Sequence, residues 1–207
     1  MIVYIESNFV LDMALEQKES SAARSILSLA ESHQVELVYP SFVLSEPFEK
    51  VVRVRRERNI LQRSLVKTLN DLKRLEPHKR IMLDLESTIN MLGDAHVKQI
   101  DLLYTIFGQL AYIGRCIHID EADFRDASAY RDSLGLSLQD SIIYAAMVAD
   151  LKKQPREEAK CFLSRDRKTF GSDTDRSIKV ELEKHNCRYI SSFTQALDFI
   201  QSSLKIG

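Results

Sequence analysis

The chain opens on Ile2-Val3-Tyr4-Ile5, a β-branched and aromatic run that stops at the polar Glu6-Ser7-Asn8, which is the pattern of a buried strand. Two short helical patterns follow. The second, over about 20–32, sets Ala23, Ile26, Leu27 and Ala30 at helical spacing, and 35–39 returns to strand composition before Pro40. A long helical pattern then begins at Ser41 and carries Val51, Val54, Leu61, Leu65 and Leu69 to Leu75, where Pro77 stops it. Another occupies 80–113, with Gly93 as a break, and the two together predict a helical hairpin arm. Beyond the arm, 116–119 reads as a third strand and 121–134 as a helix closed by Gly135 at C′. Ser137-Leu-Gln-Asp140 is a capping-box variant ahead of an apolar helix over 142–151. A fourth strand at 160–164, a helix at 176–184, a fifth strand at 188–190 and a final helix capped by Ser192-x-x-Gln195 complete the pattern. Strands alternating with helices predict an α/β fold, with a central parallel sheet of about five strands covered on both faces.

With 207 residues, 44% hydrophobic and 29% charged, the chain has the size and core content of one domain and is not disordered as a whole. The longest apolar run, 142–149, falls far short of the roughly 20 residues of a membrane span. The start has neither a basic n-region nor a long apolar h-region, so a cytoplasmic protein without membrane contact is expected. Cys116, Cys161 and Cys187 lack a CxxC pattern and read as reduced core thiols. The five His form no HxH or HExxH pair, which argues against a His-ligated metal. Net charge is −1, but the balance is local: 50–80 carries Lys50, Arg53, Arg55, Arg56, Arg58, Arg63, Lys67, Lys73, Arg74, Lys79 and Arg80 against Glu57, Asp71 and Glu76.

The acids fall at informative places. In an open parallel sheet, ligands bind beyond the carboxyl ends of the strands. Glu6 directly follows the first strand, Asp166 lies just past the fourth, Glu46 sits near the start of the helix after the second, and Asp140 occupies a first helical turn. Each has a purely structural alternative as a helix cap or turn residue. Four carboxylates brought together repel one another unless a cation neutralises them, and an oxygen-only set favours Mg²⁺ or Mn²⁺ over zinc.

Four stretches, Val3-Tyr-Ile-Glu-Ser-Asn-Phe-Val-Leu-Asp12, Tyr39-Pro-Ser-Phe-Val-Leu-Ser-Glu46, Gly135-Leu-Ser-Leu-Gln-Asp-Ser-Ile-Ile-Tyr-Ala-Ala146 and Cys161-Phe-Leu-Ser-Arg-Asp166, together resemble the ordered acidic motifs of the PIN-domain family of metal-dependent nucleases, which includes the VapC-type toxins. The resemblance spans nearly the whole chain as a single PIN-like domain over 1–207, with a helical insertion at about 50–114. It implies a three-layer α/β/α fold, with Glu6, Glu46, Asp140 and Asp166 as the catalytic quartet and Asn8 and Ser164 at supporting positions. It further implies Mg²⁺ or Mn²⁺ held by Glu6, Asp140 and Asp166, and endonucleolytic hydrolysis of RNA. An antitoxin or other protein partner and a homodimer are part of what it implies.

Two features depart from the family pattern. The first acid is Glu rather than Asp, and the extra methylene moves the carboxylate by about 1.5 Å. Pro47 follows Glu46: a helix starting at Ser41 would make it interior, whereas a start at Ser45 leaves it in the tolerated first turn. An acidic site needs nearby cations to accept a polyanion. Arg53, Arg55, Arg56 and Arg63 on the arm, with Arg165, Arg167 and Lys168 around Asp166, are the candidate phosphate contacts, the alternative for the arm being a solvated helix face. Asp173 and Asp175 either supplement the metal shell or cap the helix before Ser177. A competing reading is a catalytically weakened PIN-like module that binds RNA or protein. A phosphatase-like site is disfavoured because Glu6-Ser-Asn8 supplies one carboxylate only, and a Rossmann enzyme because no GxGxxG follows the first strand.

Overall fold

A computed structural model of the chain describes residues 1–72, 79–171 and 176–206, with side chains at 1–72, 85–91, 97–171 and 177–205. Strands β1 (Ile2–Ile5), β2 (Glu36–Pro40), β3 (Arg115–Ile117), β4 (Lys160–Leu163) and β5 (Cys187–Ile190) form one sheet in the order β3-β2-β1-β4-β5, every pair parallel. Each residue of β1 and β4 is buried, because helices cover both faces of the sheet. Side chains alternate across it. Val3 and Ile5 join the core beneath α1 (Ser7–Ala14), α2 (Ser20–Glu31) and α9 (Phe193–Ile206), while Ile2 and Tyr4 join the core beneath α6 (Leu138–Leu151) and α8 (Arg176–Glu183). The result is the three-layer α/β/α arrangement expected of the sequence.

The chain moves outward through β1, β2 and β3, then returns to the other side of β1 for β4 and β5. Strand order therefore reverses between β1 and β4, and the crevice for a ligand opens beyond the carboxyl ends of those two strands. The arm consists of α3 (Ser45–Leu72) and α4 (Lys79–Ile113). A 3₁₀ turn, Ser41–Leu44, precedes α3, so Pro47 lies in the first turn, where its missing N–H interrupts no helical bond.

Several boundaries differ from the sequence-based expectation. The predicted break at Gly93 is absent: α4 runs through it unbroken, since a single Gly costs a helix about 1 kcal/mol and leaves its hydrogen-bond ladder intact. β3 ends at Ile117 rather than 119, because Asp120 caps α5 (Glu121–Leu134) through Ala122 N and Asp123 N, and Asp123 closes a capping box in return. α6 begins at Leu138, and a short helix, α7 (Arg167–Phe170), follows β4 without having been anticipated. The predicted stop at Pro77, Lys73 and Arg74, Asp173 and Asp175, and the side chains of Lys79 and Arg80 lie outside the described residues.

Among the described residues, buried charged groups away from the crevice are hydrogen-bonded. Lys160, 1% exposed, donates to the carbonyls of Pro155, Glu158 and His185, at 2.5, 2.7 and 3.3 Å. Asp150 accepts from Tyr4 Oη at 2.7 Å and from both terminal nitrogens of Arg115, which ties α6 to β1 and to the edge strand β3. The three cysteines are free, with Cys161 and Cys187 buried as expected of core thiols. Among the described residues no single helix is long and apolar enough to cross a membrane.

Candidate functional site

β1 passes directly into α1, and Glu6 is the residue at that joint. Its backbone is extended, as an N-cap requires, and Oε2 accepts the N–H of Asn8 at 2.9 Å. The apolar surfaces of Phe9, Val10 and Met13 follow at once, so the joint is buried and Glu6 is only 5% exposed. Its second oxygen, Oε1, has no hydrogen-bond partner. Burial pushes this carboxyl up to about 7, overriding the opposing Asn8 N–H, and the charge of Glu46 adds to the rise. Ser164 and the Asn8 side chain are near enough to soften the shift without bonding Oε1.

Asp140 stands in the first turn of α6. Ser137 caps that helix by accepting Asp140 N at 3.1 Å, and its hydroxyl donates to Asp140 Oδ2 at 2.6 Å. Burial raises the Asp140 carboxyl above its ordinary range; the Ser137 hydroxyl opposes this, and the charges of Asp166 and Glu46 reinforce it. Asp166 caps α7: Oδ1 accepts Lys168 N and Thr169 N, and Oδ2 accepts the Thr169 hydroxyl at 2.7 Å. Glu46, in the first turn of α3, accepts Gln139 Nε2 at 3.0 Å, which brings the start of α3 beside the start of α6. Tyr189 on β5 donates to the carbonyl of Ser164 at 2.9 Å, and its phenol is pushed up to about 12, by burial first and then by Glu6 and Asp166.

At the carboxyl edge Glu46 acts electrostatically on both Glu6 and Asp140, and Asp166 acts on Asp140, which links the four expected acids in a chain of pairs. Asp166 also caps a helix, and Asp140 accepts the hydroxyl of the residue that caps another. Among the described residues no three His, Cys, Asp or Glu side chains form a ready-made metal-holding group. The chemistry of the set still suits a hard divalent cation: every donor is oxygen, neighbouring carboxylates raise the proton affinity of Glu6 and Asp140, and the buried Glu6 Oε1 is unpartnered.

The supporting positions fall close by. Asn8 holds Glu6 through its backbone, and the fully buried Ser164 accepts Asp166 N on Oγ at 3.1 Å. Of the expected phosphate contacts, Arg53, Arg55, Arg56 and Arg63 are exposed on α3, Lys168 is exposed, and Arg167 donates to Ser191 at 3.1 Å. Arg165 is differently placed. Its guanidinium pairs with Asp12, a carboxylate only 1% exposed on α1 that needs a cation inside the protein.

The sequence reading gave no role to Gln139, Thr169, Tyr189 or Asp12. Thr169, three residues after an acid at a strand end, carried a legible capping signal. Asp12, a lone acid in an otherwise apolar helix, was a legible sign of a buried pair. The contacts of Gln139 and Tyr189 had no local signal, since each depends on elements distant in the chain.

A comparison with curated proteins and with solved structures finds no match. The family model for the PIN domain matches residues 3–170, from β1 through α7, and so takes in all four acids and the arm. The chain belongs to the PIN domain family, whose members are generally nucleases.

Proposed function

We propose that the protein is a metal-dependent endoribonuclease that hydrolyses RNA phosphodiester bonds at Glu6, Glu46, Asp140 and Asp166. The observation that carries this reading is the buried, unpartnered Oε1 of Glu6 at the sheet's point of reversal, coupled to further carboxylates. Glu6, Asp140 and Asp166 would hold Mg²⁺ or Mn²⁺. When bound, such a cation polarises a phosphoryl oxygen and acidifies water.

The chain's own groups do the positioning. Ser137 and Thr169 spend their hydroxyls on Asp140 and Asp166, which fixes one oxygen of Asp140 and, with the amides of Lys168 and Thr169, both oxygens of Asp166. Gln139 is a neutral donor, so it directs Glu46 toward the site without adding charge. Glu46 would orient the water held by such a cation or join the carboxylates around it. Exposed Arg53, Arg55, Arg56, Arg63, Arg167 and Lys168 offset the repulsion between the acids and the RNA backbone. A second reading, a catalytically weakened module that binds RNA or protein, is favoured by the absence of a ready-made metal-holding group among the described residues and by the longer arm of Glu6.

The purified chain should cleave single-stranded RNA with Mn²⁺ or Mg²⁺ and lose that activity in EDTA. Asp140→Asn should bind Mn²⁺ at least tenfold more weakly by calorimetry and lose cleavage by a factor of about 100 or more, because the amide keeps the shape and removes the charge that attracts the cation. RNA binding without cleavage in either metal would favour the module. Cleavage that survives EDTA and is unchanged in Asp140→Asn would remove the carboxylates from the chemistry.

A further inference from the structure

Two residues along α3 from Glu46, Phe48 turns an aromatic ring to solvent, 43% exposed. Tyr104 of α4, 57% exposed, lies beside it with ring centroids 6.5 Å apart and planes tilted by 58°. Neither ring belongs to the cores beneath the sheet or to the small cluster of Leu69 and Ile89 within the arm. The helical period decides what accompanies them. Val52 and Arg55, at i+4 and i+7, share the face of Phe48, and Lys50 and Arg53, at the same offsets from Glu46, share that acid's face. Arg55 is therefore about 10 Å along the helix from the ring pair. Among the described residues Lys50, Arg53, Arg55 and Arg56 have no ion-pair partner.

An exposed aromatic pair with the free guanidinium of Arg55 on its face, on the helix that carries Glu46, suits one class of ligand. Unpaired nucleobases present a flat π-surface on one side and a phosphate on the other, so stacking and charge are satisfied by the same molecule. A second copy of the chain fits less well. A two-fold contact over this patch would bring the like-charged Arg55 of both protomers into one interface. We infer that Phe48 and Tyr104 form a base-stacking subsite that holds an unpaired base of single-stranded RNA where the strand crosses α3, on the face turned away from Glu46, with Arg55 gripping the backbone beyond it. The inference rests on the ribonuclease reading and adds to it a preference for unpaired RNA and a direction of approach along the arm.

The test is equilibrium binding of a fluorescein-labelled single-stranded RNA in EDTA, where metal-dependent cleavage is suppressed, to the full chain and to Phe48→Leu, Tyr104→Leu and the double variant. Leu keeps apolar bulk and helix propensity while removing the π-face. Each substitution should weaken binding about tenfold. An oligonucleotide with abasic positions should bind the wild type as weakly as the intact one binds the double variant, and the double variant should not distinguish the two. Equal affinity of all variants, with no effect of abasic positions, would overturn the subsite and leave the ribonuclease reading standing. A weakening in the double variant that is repeated in full with the abasic RNA would assign the rings to the arm's own structure and overturn the subsite as well. Dissociation of a wild-type dimer by the double substitution, read by sedimentation, would assign the rings to a protein contact instead. A wild type that binds no RNA would overturn the ribonuclease reading itself, and the subsite with it.

Discussion

Glu6 is the residue at which fold and chemistry pull in opposite directions. As an N-cap it belongs where it is, because the first amides of α1 need an acceptor, yet one of its oxygens is buried with nothing to accept. Its carboxyl is raised to about 7 from an ordinary value of 4.5, so between those two pH values the folded chain holds a proton that the unfolded chain has released. Stability of the metal-free protein should therefore fall as pH rises from 4.5 to 7 and stay low above 7, the reverse of the usual carboxylate. Asp140 shifts in the same direction and adds to the trend. We expect urea denaturation in EDTA to show a loss on the order of 2 kcal/mol between pH 5 and pH 8 attributable to Glu6. Glu6→Gln, which cannot ionise, should flatten that part of the pH dependence and make the metal-free protein more stable than wild type at pH 8. Parallel pH profiles for the two proteins would show that Glu6 ionises as freely in the fold as in the unfolded chain.

At the scale of elements, the acids are held by contacts between segments far apart in sequence. Asp12, two turns along α1 from Glu6, pairs with Arg165, the residue immediately before Asp166, so one ion pair fixes how α1 meets the β4–α7 connection. Asp12→Ala should destabilise the fold by roughly 2–3 kcal/mol, below the usual cost of breaking a fully buried pair because Arg165 keeps about a third of its side chain in water. The urea midpoint at constant m-value measures this, and a change under about 0.5 kcal/mol would mean the pair is inert. The same distinction between local and distant determinants explains what was legible in the sequence. β1 and β4 read as strands because both faces are covered and their apolar runs are unbroken. Glu6, Glu46, Asp140 and Asp166 read as a group because each follows a strand or opens a helix, a local property. Strand order had no local signature, and neither did the bond from Gln139 to Glu46, which joins residues 93 positions apart. Gly93 misled because propensity was weighed without the length of helix on either side, and the early end of β3 was written in Asp120-x-x-Asp123, a cap that the strand-like Ile117 and Ile119 obscured.

For the whole molecule the deciding quantity is the distribution of charge, since a net charge of −1 by itself gives no attraction for a polyanion. The acids gather at the mouth of the crevice, and the cations lie along α3, which leaves the crevice at Glu46 and carries Arg53, Arg55, Arg56 and Arg63 outward in exposed positions. On the proposed ribonuclease reading this geometry separates two functions: the acids of the crevice would hold the cation, and the cations of the arm would hold the RNA. The four arginines do not share one helix face, so an RNA strand engaging all of them must wrap partly around α3. If it does, replacing all four with Gln removes up to four phosphate contacts, each contributing about 0.7 to the slope of log affinity against log salt for a single strand. The slope should shrink by about 3, and affinity at low salt should fall most, while affinities at high salt converge. Gln is nearly as good a helix former as Arg, and the positions are exposed, so the urea midpoint should move little. A slope reduced by only about 2 would mean that the strand follows the side of the arm that carries Arg53, Arg56 and Arg63 and misses Arg55. An unchanged slope would transfer the phosphate grip to Arg167 and Lys168 beside Asp166, and the arm would then serve RNA only through its aromatic base.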